Sequence, residues 1–396
     1  MSALKADDGA LPRQTPTRFA ALDGWRGICA LLVVCFHAPV AGFIHEGAFF
    51  RHAFLFVDFF FVLSGFVITH AFYGRLRAEQ SFGRFFGARL FRVYPLHLFM
   101  LALFVGFEVF LAVTRGPGEA FQEGSSLPAL AHNLLMTHSF GFLSGLSWNY
   151  PSWSISAELL AYGLFALVVI RAPRALIPLA LATMAVGVVV IARLDGTIDT
   201  TFHLGWLRCL VGFSLGTVIR RVLWTDGQEA SAGENSAAWT IAELAIVAMV
   251  VVFVDRLGGT ILSLAAPFVF GFALYVFAHE GGLVSRVLKS APIAFLGAIS
   301  YSIYMTHAFV ISRAENVATV LGNKIHWPIF SAALDGKRLM GANEAEALLA
   351  LGLIVGATLL ASALTYRFVE LPGIALGRTF LTRGDRRPTA SRRAAA

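Results

Sequence analysis

The chain has 396 residues, 57% of them apolar and only 14% charged, with a mean hydropathy of +0.71. A soluble domain carries about 25% charged residues, so this chain has too little polar surface to stay dispersed in water, and a bilayer is its natural solvent. The net charge of +7 does not read as nucleic-acid binding, because the basic residues lie in short loops between apolar runs instead of clustering on one soluble element.

Residues 1–20 are polar, and the apolar run behind them has no small-residue cleavage site, so it reads as a first membrane helix and not as a leader peptide. Apolar spans follow at 22–43, 54–73, 93–114, 153–171, 174–193, 203–223, 238–255, 260–279, 292–313 and 347–368. Each is near the roughly 20 residues that cross about 30 Å of hydrocarbon. The expectation is an all-α integral membrane protein of about ten transmembrane helices. Its membrane domain covers 21–375, between a polar segment at 1–20 and a basic tail at 376–396 expected to be disordered. Within loop 115–152, LPALAHNLLMTHSFGFL reads as a short interfacial or re-entrant helix. Residues 314–346 read as a second long loop, and DGQEASAGENSA at 226–237 as a flexible linker. Cys29, Cys35 and Cys209 fall inside apolar runs and read as packing residues, with no zinc spacing.

Lys and Arg set the orientation. With the N-terminus inside, Arg18, Arg75, Arg77, Arg84, Arg89, Arg92, Arg171, Arg174, Arg220, Arg221, Arg286, Lys289 and the arginines of the tail all fall inside. Arg51, Arg115, Arg193, Arg256, Arg313, Lys324, Lys337 and Arg338 fall outside. Both ends are therefore expected in the cytoplasm, with the protein in the cytoplasmic membrane.

Ionisable residues inside spans are costly and normally face a cavity or a partner. The step from Arg26 to His37 is about 16 Å along a helix and, at about 3.67 residues per turn, keeps both on one face. Depth assigned by span direction puts His37, Asp58, Glu158, Arg208 and His307 in the same outer half, with Ser300, Tyr301, Ser302 and Tyr304 below His307. The expectation is one polar cavity opening outward. On the opposite side Arg84, Arg89 and Arg92 crowd the loop before Tyr94-Pro95 and, with Arg26, form a cationic patch suited to phosphate. Each group also has a plainer reading. The arginines are explained by topology alone, Asp58 or Glu158 by an ion pair with Arg208 that locks helices, and the Ser/Tyr ladder by interhelical hydrogen bonds.

These residues carry a resemblance. LDGWRGICALLVVCFHA at 22–38 resembles the first-helix signature of the membrane acyltransferase-3 family, an Arg and a His spaced as Arg26 and His37 are. The match continues through FVDFFFVLSGFVI at 56–68, RLFRVYPLHL at 89–98, SWSISAE at 152–158, SYSIYMTH at 300–307 and FVELP at 368–372. The resemblance implies transfer of an acyl group, most often acetyl, from cytoplasmic acyl-coenzyme A to a hydroxyl of a cell-surface or lipid-linked carbohydrate. It resembles the stand-alone form, without a fused esterase-like domain.

Under that resemblance Arg26, Arg89 and Arg92 would hold the phosphates of acyl-CoA, and His37 would act as general base on the acceptor hydroxyl. Asp58 or Glu158 would orient the imidazole, and Arg208 or the helix hydroxyls with Ser300, Tyr301 and His307 would steady the oxyanion or the substrate. A covalent acyl-histidine intermediate is the alternative chemistry. No metal is expected, and the acceptor, acyl length and oligomeric state stay open. The competing function is a transporter or flippase, which also needs intramembrane carboxylates in a polar cavity. The other large class of intramembrane-histidine acyltransferases and a pure scaffold are weaker readings, the first because of the Arg26/His37 spacing, the second because a scaffold needs no buried charges.

Overall fold

The computed structural model describes residues 18–224, 236–326, 328–332, 336 and 338–383. Most of segment 1–20, of linker 226–237 and of the tail beyond Arg383 lies outside the described residues. The long helices are α1 (Ala20–His37), α2 (Phe56–Glu79), α3 (Phe82–Arg115), α4 (Leu127–Leu134), α5 (Trp153–Arg171), α6 (Leu176–Leu194) and α7 (Gly205–Val218). They continue as α8 (Ala237–Leu257), α9 (Ala266–Ala278), the short α10 (Leu283–Leu288), α11 (Ala291–Ala298), α12 (Ser300–Ile325), α13 (Glu344–Thr365) and α14 (Leu371–Arg383).

Among the described residues, eight helical segments are long and apolar enough to cross a membrane, and nine if α11 and α12, bent by 68° at their junction, form one span. The remaining expected span, 203–223, is helical from Gly205 to Leu223 but carries Arg208, Arg220 and Arg221. It depends on a charged partner, described below. The protein is an all-α, multi-pass membrane protein.

Helix ends differ from the apolar runs where local chemistry intervenes. α1 stops at His37, short of 43, because Pro39 forces Ala38 into an extended conformation (ψ 121°). α3 begins at Phe82, so Arg84, Arg89 and Arg92 sit on a helix and not in a loop. Pro95 lies inside that helix, and the backbone bond it removes is tolerated where a neighbouring helix packs closely. Span 292–313 breaks at Ile299, and α12 then runs on to Ile325, well into the expected loop. What remains of that loop holds a two-stranded antiparallel hairpin, β1 (Phe330–Ala332) and β2 (Arg338–Met340). The expected disordered tail is also corrected, because residues 376–383 continue α14. Gly373 seats on Pro95, Gly377 on Phe91, and Phe380 stacks on Phe91 at 5.9 Å.

Close packing sets the positions of the site helices. A methyl at Gly65 of α2 would collide with Phe213 O of α7, and one at Gly216 of α7 with Val62 O of α2. Small residues let these backbones touch, which is how membrane helices gain packing without a hydrophobic drive between them. Gly27 of α1 meets Leu296 and Gly297 of α11 in the same way.

Candidate active site

The site residues expected from the sequence form three groups, not the single outer cavity expected from depth. The first is a cavity of about 360 Å³ where Arg18, Asp23 and Arg26 at the start of α1 face Arg89 and Arg92 of α3. Glu158 and Tyr162 of α5, Ser64 of α2, and Ser300, Tyr301 and Tyr304 of α12 complete its wall. Glu158 therefore belongs with the arginines. The arginine cavity reaches the first turn of α5, since Ser154 there also lines it.

Carboxylates balance part of the positive charge. Asp23 bridges Arg18 at 2.7 Å and Arg26 at 3.3 Å. Ser64 and Tyr162, whose own oxygens lie 2.8 Å apart, stand beside the Glu158 carboxylate. Glu370, from the FVELP segment, accepts from Ser302 Oγ at 2.9 Å and faces Arg92 and Arg26. Two donors at the cavity are left over. Arg89 Nε and Ser300 Oγ are buried without a hydrogen-bond partner among the described residues. Such groups are rare and costly unless a ligand meets them. Tyr301 is less free, because its hydroxyl donates to Val93 O at 2.6 Å.

The second group is an imidazole pair. His37 ends α1, and its Nδ1 lies 3.0 Å from Val33 O and 3.2 Å from His307 Nε2. His307 Nδ1 lies 3.3 Å from Ile303 O. A carbonyl only accepts, so the tautomers that satisfy both contacts carry the proton on Nδ1 of each ring. His307 Nε2 then accepts from His37, and His37 Nε2 keeps a free lone pair. Tyr150 flanks the pair, with its ring 4.8 Å from His37 and 6.1 Å from His307. His307 is fully buried, whereas His37 is partly exposed.

Tyr304 joins the two groups. It lines the arginine cavity, its hydroxyl is 2.9 Å from Ser154 Oγ, and its ring centre is 5.8 Å from that of His307.

The third group is a buried ion pair. Arg208 Nε and Nη2 grip Asp58 Oδ1 at 3.0 Å and Oδ2 at 2.7 Å. The remaining Arg208 hydrogen bonds go to Phe54 O and Thr200 O, and both side chains are within 1% of full burial. The expected orienting carboxylate and the expected oxyanion donor thus satisfy each other, and His37 is held by Val33 and His307 instead. Similar depth does not mean a shared face: Asp58 on α2 turns towards α7.

Tyr150 and Glu370 were not expected. Tyr150 lies two residues before SWSISAE and Glu370 is the carboxylate of FVELP, so their place in or beside those segments was the available signal. Tyr304 was visible only as one rung of the Ser/Tyr ladder. Among the described residues no cluster of three His, Cys, Asp or Glu could hold a metal ion.

The family model of the acyltransferase domain matches residues 19–367. The chain is 28% identical to the acyltransferase MdmB of Streptomyces mycarofaciens over 94% of this chain and 95% of that one. It is 26% identical to a protein named as a membrane-bound transacylase, BcsY of Komagataeibacter xylinus, over 72% and 71% of the two chains. It is also 34% identical to protein 2 in the picA locus of Rhizobium radiobacter, over 46% of this chain and 98% of that one. No solved structure matches. The chain belongs to the acyltransferase-3 family and is a membrane acyltransferase.

Proposed function

We propose that this enzyme moves an acyl group, acetyl foremost, from cytoplasmic acyl-CoA to a hydroxyl of a cell-surface or lipid-linked carbohydrate. The observation that carries the reading is the arginine cavity with its two unmatched donors, joined through Tyr304 to the His37–His307 pair. Its volume of about 360 Å³ is at the lower end of small-molecule sites. It suits the thioester arm, with the nucleotide phosphates at the mouth against Arg26, Arg89 and Arg92. Guanidinium forks match phosphate oxygens there. A neutral or cationic transport substrate would leave those arginines without a role, which disfavours the flippase reading.

In the reaction the acceptor oxygen attacks the thioester carbonyl while His37 Nε2 removes its proton. The imidazolium that forms keeps Nδ1–H on Val33 O and His307. The C–S bond then breaks, the sulfur takes the proton back from His37, and an ester and a free thiol leave. His307 orients the base, and Tyr304 stands where the arm would pass. Asp58 and Arg208 act as a clamp between α2 and α7, and Glu158 tunes the cavity with Ser64 and Tyr162. Both chain ends are assigned to the cytoplasmic side of the cytoplasmic membrane, and residues 21–375 to one catalytic membrane domain.

The test is to incubate the purified protein in lipid nanodiscs with acetyl-labelled acetyl-CoA and a panel of saccharides and glycolipids. Alkali-labile label on a saccharide hydroxyl supports the proposal. Label that stays on coenzyme A with every acceptor, while labelled saccharide crosses a liposome carrying the protein, would favour transport.

A further inference from the structure

A second cavity is not used by the reaction. It is a groove of about 1020 Å³ between α3, α12 and α13, walled by apolar side chains such as Leu103, Phe309, Val317 and Leu353. Leu353 and Val317 are mostly exposed, so the groove opens sideways towards lipid. It runs along α13 from Glu346 to Leu364, which at 1.5 Å per residue is about 27 Å.

One charged residue lines this apolar groove in an unusual state. Arg313 Nε and Nη1 are buried with no hydrogen-bond partner among the described residues. Only Nη2 is engaged, by Ser312 Oγ at 2.9 Å. The guanidinium lies 3.2 Å from the centre of the Phe107 ring and 5.2 Å from that of Phe309. The nearby carboxylates of Glu108 and Glu315 make no ion pair with it among the described residues, and Glu108 instead accepts from Phe121 N at 2.8 Å. Arg313 is thirteen residues along α12 from Ser300, about 20 Å, so it stands near the membrane face opposite the arginine cavity.

We propose that this groove binds a bilayer glycerophospholipid, its acyl chains along α3 and α13 and its phosphate on Arg313. Thr306 of α12 meets Ser362 of α13, which puts Arg313 about midway along the groove; the apolar stretch from there to Leu364 is about 14 Å, one leaflet deep, and the unmatched N–H donors above it complement a phosphodiester and two acyl chains. The lipid has a mechanical consequence. Thr306 and Phe309 of α12 line the groove, while His307 between them meets His37. A bound lipid therefore backs the helix that positions the imidazole pair.

The assignment stands independently of the proposed reaction and is tested without activity. The full chain would be delipidated in detergent, then offered phosphatidylethanolamine, diacylglycerol of the same chains, or a polyisoprenyl phosphate. Retained lipid would be read by native mass spectrometry, with the melting temperature as a second readout. Wild type should retain phosphatidylethanolamine, with a raised melting temperature, and retain diacylglycerol about tenfold less or worse, the loss of one charge-assisted contact. Arg313→Gln should erase that preference. Leu353→Trp, which fills the exposed groove while keeping Arg313, should expel both lipids and carries the test if Arg313→Gln does not fold. Equal retention of diacylglycerol, preferential retention of the polyisoprenyl phosphate, or a Leu353→Trp protein that keeps its phospholipid would each overturn the proposal.

Discussion

The Asp58–Arg208 pair separates a structural clamp from a catalytic carboxylate. Replacing Arg208 with Met leaves a carboxylate in a site where both side chains are within 1% of full burial. Removing one partner of such a pair costs about 3–5 kcal/mol, a large part of the roughly 5–15 kcal/mol that holds a domain together. The single variant should therefore lose most of its folded yield. Adding Asp58→Leu removes the stranded charge, and the pair replaced by apolar groups is close to neutral. Recovery will be incomplete, because Arg208 also serves Phe54 O and Thr200 O. Two carbonyls that lose a donor but keep weaker contacts leave a deficit of about 1–3 kcal/mol. The assay is size-exclusion yield and melting temperature in nanodiscs, with activity per folded molecule measured alongside. A clamp predicts that the double variant regains yield and, once folded, transfers at near wild-type rate. A well-folded double variant that transfers nothing would refute the reasoning and return Asp58 to the chemistry.

Arg89→Ala with Arg92→Ala should weaken acyl-CoA binding about tenfold or more at low salt, read by calorimetry, since two guanidinium contacts are lost; unchanged affinity would assign both residues to topology. Tyr304→Leu should widen the passage to His307 but remove the hydroxyl next to Ser154, and Tyr304→Phe only the latter. If Tyr304 guards the passage, thioester hydrolysis by water rises in the leucine variant alone, read as free thiol released without acceptor. Gly216→Leu should abolish folding, because its side chain has no room against Val62 O and Phe66 N; normal yield would contradict the α2–α7 contact. His138, in the loop before α5, is held neutral by burial and by His97, which lower its pKa to about 4 from the usual 6.5. The unfolded chain takes up that proton first, so stability should fall as pH drops from about 6.5 to about 4, by about 3 kcal/mol. His138→Asn should flatten that part of the melting-temperature profile.

Apolar length made the spans readable, because a bilayer demands it of each helix separately. The ends were not, where Pro39 cut α1 short and where α12 ran past its apolar stretch to Ile325. Position along each span could be counted. Which way a side chain turns depends on neighbours, and so depth alone merged Glu158, Asp58 and His37 into one site. The Asp58–Arg208 pairing needed the glycine contacts that press α2 against α7. The bond between His37 and His307 joins residues 270 positions apart; the motifs named both rings but did not show that they touch. Tyr304 and Ser300 stood in the same helical ladder in the sequence. Only the packed helices show that both line the arginine cavity and that Tyr304 also reaches His307.

The claim on which the account rests is that donor binding and proton removal occur in separate places linked through Tyr304. The most direct measurement is single-turnover transfer by His37→Gln alongside equilibrium binding of acetyl-CoA to the same preparation. The account predicts wild-type donor affinity, because His37 does not line the arginine cavity, with transfer slowed by a factor of about 100 to 10,000. Transfer at the wild-type rate, or loss of donor binding with it, would contradict the account.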